Sequence, residues 1–119
     1  MATSEFKISQ EQVPQATILH LRGWLDAQSE NGLIAAVQEA HANGAKNLVL
    51  NMAEIDMMTS AGIRALQKLY KMFMDAGSAS SLNIRLCGAP PQVYRVLSLT
   101  GFLQTMPMYE TLQSALASF

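Results

Sequence analysis

Cysteine, histidine and charge are all scarce in this chain. Cys87 is the single cysteine among 119 residues, so neither an internal disulfide nor a cysteine-rich metal cluster can form. His20 and His41 are the two histidines, too few for a zinc site or an extended acid–base apparatus, and neither a metal nor a cofactor is expected. Only 14% of residues are charged, and eight Lys plus Arg against nine Asp plus Glu leave a formal net charge of −1. That balance exerts no long-range pull on nucleic acid or on an anionic membrane, and neither is an expected partner. No run of roughly 18 apolar residues occurs, the length that a bilayer-spanning helix needs. Residues 1–12 carry Glu5, Lys7 and Glu11 and lack the apolar stretch of a signal peptide. The expectation is a cytoplasmic protein with a reduced thiol.

What is present is apolar material. Half of the residues are hydrophobic, so residues 1–119 read as one domain that buries roughly two thirds of its unfolded surface. Strands are expected at residues 5–10, 16–22, 46–50 and 82–87, with Gly23 ending the second. Ile18, Leu19 and Leu21 fall on both faces of that strand, which implies a sheet covered on both sides. Helices are expected from near Asp26 to the Asn43-Gly44 stop, at about 60–76 with Gly77 closing it, at 92–99 after Pro90-Pro91, and at 109–119. Residues 52–58 read as a connector, 78–81 as a polar loop and 102–106 as a last extended segment. The alternation argues an α/β domain, a mixed sheet with helices packed on it.

The sharpest local feature runs from Ile55 to Leu66, where Thr59-Ser60 separates an apolar connector from an amphipathic helix. Ser or Thr at this point can cap the helix by accepting from a free backbone N–H. The same helix end tolerates a phosphate, and a phosphoserine adds roughly −1.5 to −2 charges at neutral pH. An enzyme reading is weaker. Met58-Thr-Ser60-Ala-Gly62 lacks the first glycine of a G-x-S-x-G nucleophile elbow, and no histidine is placed beside Ser60. No catalytic residue is assigned.

Met52, Met57, Met58, Met72 and Met74 read either as filler of irregular core gaps or as an adaptable contact surface, with Met57 and Met58 the best candidates for exposure. Trp24 is a core wedge or an interface anchor. Arg64, Lys68 and Lys71 follow one another at helical spacing, a basic face that is either simply solvated or attractive to an acidic partner or a nucleotide phosphate.

Three stretches together resemble the STAS domain of bacterial anti-sigma factor antagonists and sulphate-transporter tails. They are Gly23-Trp-Leu-Asp26, the run from Leu48 to Ile63, and the run from Val93 to Phe102. The resemblance spans nearly the whole chain, in order, and implies a STAS-like mixed sheet of four to five strands with about four helices. It implies that Ser60, two places before Gly62, is the phosphoacceptor, with Asp26 close by. It also implies a partner surface around Trp24, Asp26, Asp56, Met57, Met58, Thr59, Gly62 and Arg64. Two departures are visible: Asn51 stands where the pattern has a strand-end Asp, and Thr59 replaces the residue, usually Asp or Ser, before the acceptor. Both thin the acidic cluster expected around the acceptor, and Asp56 restores part of it.

The function implied is a non-enzymatic switch. The dephosphorylated domain would bind an anti-sigma factor serine kinase and free the sigma factor. Phosphorylation of Ser60 by that kinase would end the binding, and a phosphatase would reset it. The alternative is a STAS subunit of a lipid-transporter or stress-sensing complex, with Ser60 a structural helix cap.

Overall fold

The computed structural model describes residues 5–74 and 82–119. Its elements are β1 (Lys7–Gln12), β2 (Thr17–Leu25), α1 (Glu30–Ala42), β3 (Asn47–Met58), α2 (Ser60–Phe73), β4 (Asn83–Cys87), α3 (Pro91–Leu99), a 3-10 turn (Phe102–Gln104), β5 (Met108–Tyr109) and α4 (Leu112–Ala117). The five strands lie in the order β1-β2-β3-β4-β5. β1 runs antiparallel to β2, and every later pair is parallel. The chain therefore has the mixed five-stranded sheet and four α-helices of a STAS-like α/β fold.

Alternation along the strands builds two cores. Leu19 and Leu21 of β2, Leu48 and Leu50 of β3, and Ile84 and Leu86 of β4 face α1, α2 and α3. Their sequence neighbours Ile18, Val49 and Cys87 face the other way and pack on Ala115 of α4, with Leu112 and Leu116 beside them. Each strand residue points opposite to its neighbour, so helices on both sides favour apolar residues on both faces of the central strands. In α2 the stripe Ile63, Leu66, Leu69 and Phe73 is buried, as the helical spacing requires.

Several boundaries differ from the sequence reading, each for a local reason. β3 continues through 52–58 instead of ending at Leu50. Its buried residues there are Met52, Ile55 and Met58, a spacing of three that does not look like a strand. The cause is two register shifts against β2, at His20/Arg22 and Gly23/Trp24, each inserting one extra β3 residue. Gly23 lies inside β2, not at its end. It sits at the second shift with φ +93, and a Cβ there would fall 2.5 Å from the Glu5 carbonyl oxygen. α1 begins at Glu30 because residues 26–29 close a turn first.

After α3 the chain turns through Gly101 at φ +77 into the 3-10 turn, so 102–106 is not extended. Phe102 and Met106 instead plug the core, and the short strand is Met108–Tyr109. α4 starts only at Leu112, where Thr111 Oγ1 accepts the Ser114 N–H at 3.0 Å. The expected closing of α2 at Gly77 and the loop at 78–81 lie outside the described residues.

Candidate functional site

The carboxyl ends of β2 and β3 carry the candidate site. Leu25 pairs with Met58 at the last step of the parallel register. The Thr59 N–H then donates to the Leu25 carbonyl at 3.0 Å and extends the ladder by one bond. α2 begins on the next residue, Ser60. Its first turn lies so close to β2 that a Cβ at Gly62 would fall 2.6 Å from the Leu25 oxygen and 2.9 Å from Met58 Cγ. Glycine two places after Ser60 thus lets the helix start against the strand end.

Neither hydroxyl caps the helix. Thr59 occupies the N-cap position with extended backbone, φ −96 and ψ 177, yet makes no side-chain cap bond. Its Oγ1 lies 3.5 Å from the Leu25 oxygen instead. Ser60 is exposed, and among the described residues its side chain engages no hydrogen-bond partner. The capping role considered for this pair does not describe the structure. What remains is a serine hydroxyl presented to solvent at the first turn of a well-anchored helix.

Asp26 borders the same shallow concavity as Ser60, together with Gln28, Thr59 and Arg64. Its carboxylate is committed to the turn before α1. Asp26 Oδ1 accepts the N–H groups of Gln28 at 3.0 Å and Ser29 at 3.2 Å. The Ser29 hydroxyl accepts the Asp26 N–H at 2.8 Å and donates to the Trp24 carbonyl at 2.9 Å. This closed loop of short bonds holds Asp26 in place relative to Ser60. Trp24 is half-buried on β2 and lines an adjoining depression with Phe6, Asp26 and Ser29.

The methionines divide. Met57 is 42% exposed, whereas Met58 is buried under Gly62 and is not available on the surface as the sequence suggested. Met52 fills the core, and Met72 and Met74 are half-buried against it. Asp56 is exposed, and its carbonyl accepts the Gln92 side chain at 3.5 Å. Gly62 is buried, so it shapes the site from beneath.

A charge cluster adjoins the site. Glu30, 6% exposed at the start of α1, faces α2. Arg64 donates to it from Nε at 3.4 Å and from Nη2 at 3.2 Å, and Lys68 Nζ lies 2.8 Å from its Oε2. The Arg64 hydrogen bond first, then that of Lys68, holds the Glu30 carboxyl below its ordinary value of 4.5. So the basic face of α2 is not merely solvated, since two of its three cations are tied to α1. Glu30 was not singled out in the sequence. The signal for it was topological: two successive parallel crossovers of the same hand, the general rule for such connections, put α1 and α2 side by side against one core.

Other candidates fall elsewhere. His20 Nε2 lies 2.8 Å from Glu11 Oε1, and Asn51 Nδ2 lies 3.0 Å from His20 Nδ1. His41 packs against Phe73 with ring centroids 5.1 Å apart. Both histidines are therefore engaged away from Ser60. Asn51 stands mid-strand, seven residues before Met58. At about 3.3 Å per strand residue it is on the order of 20 Å from the Ser60 turn and does not belong to its surroundings. Cys87 is fully buried, and burial pushes its thiol up to about 11. Among the described residues, no helix is long and apolar enough to cross a membrane.

The comparisons with known proteins agree with the fold. An anti-sigma F factor antagonist from Paenibacillus polymyxa is 26% identical over 100 residues, covering 83% of this chain and 82% of the relative. The crystal structure of an anti-sigma factor antagonist from Mycobacterium paratuberculosis superposes with a TM-score of 0.82 at 21% identity, covering 96% of this chain and 93% of that one. The antagonist SpoIIAA in its unphosphorylated form gives 0.70 at 23% identity, over 94% and 95% of the two chains. SpoIIAA of Bacillus in its phosphorylated form gives 0.56 at 19%, over 94% and 98%. The pattern of the STAS domain family matches residues 7–115, and the chain belongs to that family.

Proposed function

We propose that the protein is an anti-sigma factor antagonist, a binding module switched by phosphorylation of Ser60. The observation that carries this reading is the Ser60 hydroxyl, exposed and unpartnered among the described residues, beside a fixed Asp26 and an exposed Met57. The names of the relatives support the antagonist role, and SpoIIAA is described in both unphosphorylated and phosphorylated forms.

In this reading the unphosphorylated domain presents Trp24, Asp26, Asp56, Met57, Thr59 and Arg64 to an anti-sigma factor that is also a serine kinase. Met58 and Gly62 act from below by setting the height of the Ser60 turn. The kinase transfers the γ-phosphoryl group of ATP. A bond forms from Ser60 Oγ to phosphorus, the bond from phosphorus to ADP breaks, and the hydroxyl proton passes to a base of the kinase. The product carries roughly −1.5 to −2 new charges next to Asp26. Burying that dianion at an interface brings both like-charge repulsion and a desolvation cost, so the partner is released.

The test uses an anti-sigma factor serine kinase taken from the source organism. Incubation with that kinase and ATP adds about 80 Da, one phosphoryl group, at Ser60. Ser60→Ala keeps binding after ATP is added, and Ser60→Glu weakens it. Equal binding by wild type and Ser60→Glu, together with no mass gain, would reject the switch.

A further inference from the structure

We propose that the phosphate on Ser60 takes Arg64 away from Glu30, so that the modification acts on the α1–α2 ion bridge as well as by its own charge. The proposal rests on Ser60 being the acceptor, as argued above.

Ser60 and Arg64 are four residues apart on α2 and line the same concavity. Side chains at this spacing are neighbours on one helix face. Helical side chains also lean towards the N-terminus, so the long Arg64 side chain covers the turn that holds Ser60. Arg64 is free to move: its side chain is 53% exposed, and its two bonds to Glu30 are 3.2 and 3.4 Å. Charge-assisted bonds of full strength run nearer 2.7–2.9 Å, about the length of the Lys68–Glu30 contact at 2.8 Å.

Glu30 can release Arg64 without being stranded. Its side chain is only 8% exposed, and a buried carboxylate without a partner is costly. Lys68 remains on Oε2 and supplies that partner. The competition therefore favours the phosphate, which offers three acceptor oxygens and nearly twice the charge of one carboxylate. Asp26 lines the same concavity and repels the phosphate, whereas Arg64 attracts it. The outcome is a domain in which α1 loses one of its two ionic ties to α2 when Ser60 is modified.

The experiment installs phosphoserine at position 60 during synthesis, so it needs no kinase. Two titrations between pH ~5 and ~8 are read by NMR: the phosphorus signal and the Arg64 Nε–H resonance. Arg64→Gln is expected to raise the second ionisation of the phosphate by about half a pH unit, and Arg64→Lys to restore part of that shift. In the phosphorylated wild type the Arg64 Nε–H resonance moves downfield as the phosphate takes its second charge. A phosphate that titrates identically with and without Arg64, or an Arg64 resonance that ignores the phosphate, would overturn the proposal. If the Gln variant does not fold, the smaller shift of the Lys variant and the Arg64 resonance of the wild type carry the test. Failure of a kinase to modify Ser60 would end the switch proposed above and leave this measurement standing.

Discussion

A Cβ on residue 62 would lie 2.6 Å from the Leu25 carbonyl oxygen, so Gly62 sets how closely α2 abuts the end of β2. That oxygen also accepts the Thr59 N–H at 3.0 Å and cannot retreat without breaking the bond. Gly62→Ala must therefore lift the first turn of α2 or open the strand end. Overpacking costs about 1–3 kcal/mol, and the roughly 1 kcal/mol by which Ala outranks Gly in a helix offsets part of it. We expect a net loss of up to about 2 kcal/mol by urea unfolding, with amide shifts concentrated at 58–63 and absent from α4. Unmoved amide shifts at 58–63 would mean that the contact relaxes without displacing the turn and that Gly62 does not position Ser60.

Glu30 gives the α1–α2 bridge a defined pH dependence. Its folded pKa is depressed below 4.5 by Arg64 and Lys68. A depressed carboxylate contributes stability that is complete above its unfolded value and is lost as the pH falls through its folded value. Glu30→Gln should therefore be less stable than wild type at pH 7, and the difference should shrink only below about pH 4.5. Chemical denaturation of both proteins at a series of pH values measures this. A difference that stays constant down to pH ~2 would assign the effect to packing and not to the ion pairs.

Helices α1, α2 and α3, and the start of α2 in particular, were legible because their signals are local: 3.6-residue periodicity, and glycine or proline at element ends. The turn that carries Ser60, the candidate site, was legible for the same reason, since Thr59, Ser60 and Gly62 adjoin in sequence. The second half of β3 was not. Two extra residues against β2 turned a period of two into a spacing of three, and a bulge is a property of the pair, invisible in either strand alone. Gly23 misled for a related reason. A positive φ at a glycine looks like an ending, but here it lets β2 continue past the lead-in to β1. Glu30 and Asn51 needed the third dimension: one meets cations on another helix, and the other meets a histidine on the neighbouring strand.

Cys87 should be nearly inert in the folded protein. The thiolate is the reactive form, and burial raises the thiol from 9.0 to about 11. At pH 8 this leaves about a hundredfold less thiolate than an ordinary cysteine carries, before the lack of access is counted. Iodoacetamide at pH 8 should label the urea-unfolded chain at least a hundredfold faster than the native one. Comparable rates would show that α4, which covers Cys87 through Ala115, opens readily.

Asn51 dictates which nitrogen of His20 carries the proton. Asn51 Oδ1 accepts the Ala53 N–H at 3.2 Å, which fixes the amide with Nδ2 towards the ring. Nδ2 can only donate, so His20 Nδ1, 3.0 Å away, must be the acceptor. The ring proton then sits on Nε2, from which it is donated to Glu11 Oε1 at 2.8 Å. The chain β1-β2-β3 is thus tied across its back face by one donor–acceptor relay with a fixed direction. Nitrogen-15 spectra of wild type at pH ~8 should show Nε2 protonated and Nδ1 bare. Asn51→Asp restores the acid of the family pattern and reverses the requirement, because a carboxylate accepts and Nδ1 must then be protonated. If both proteins show the same Nδ1 signal, the amide does not control the ring. Asn51 is then no more than a polar filler beside Gly88, whose Cβ would lie 3.2 Å from its Oδ1.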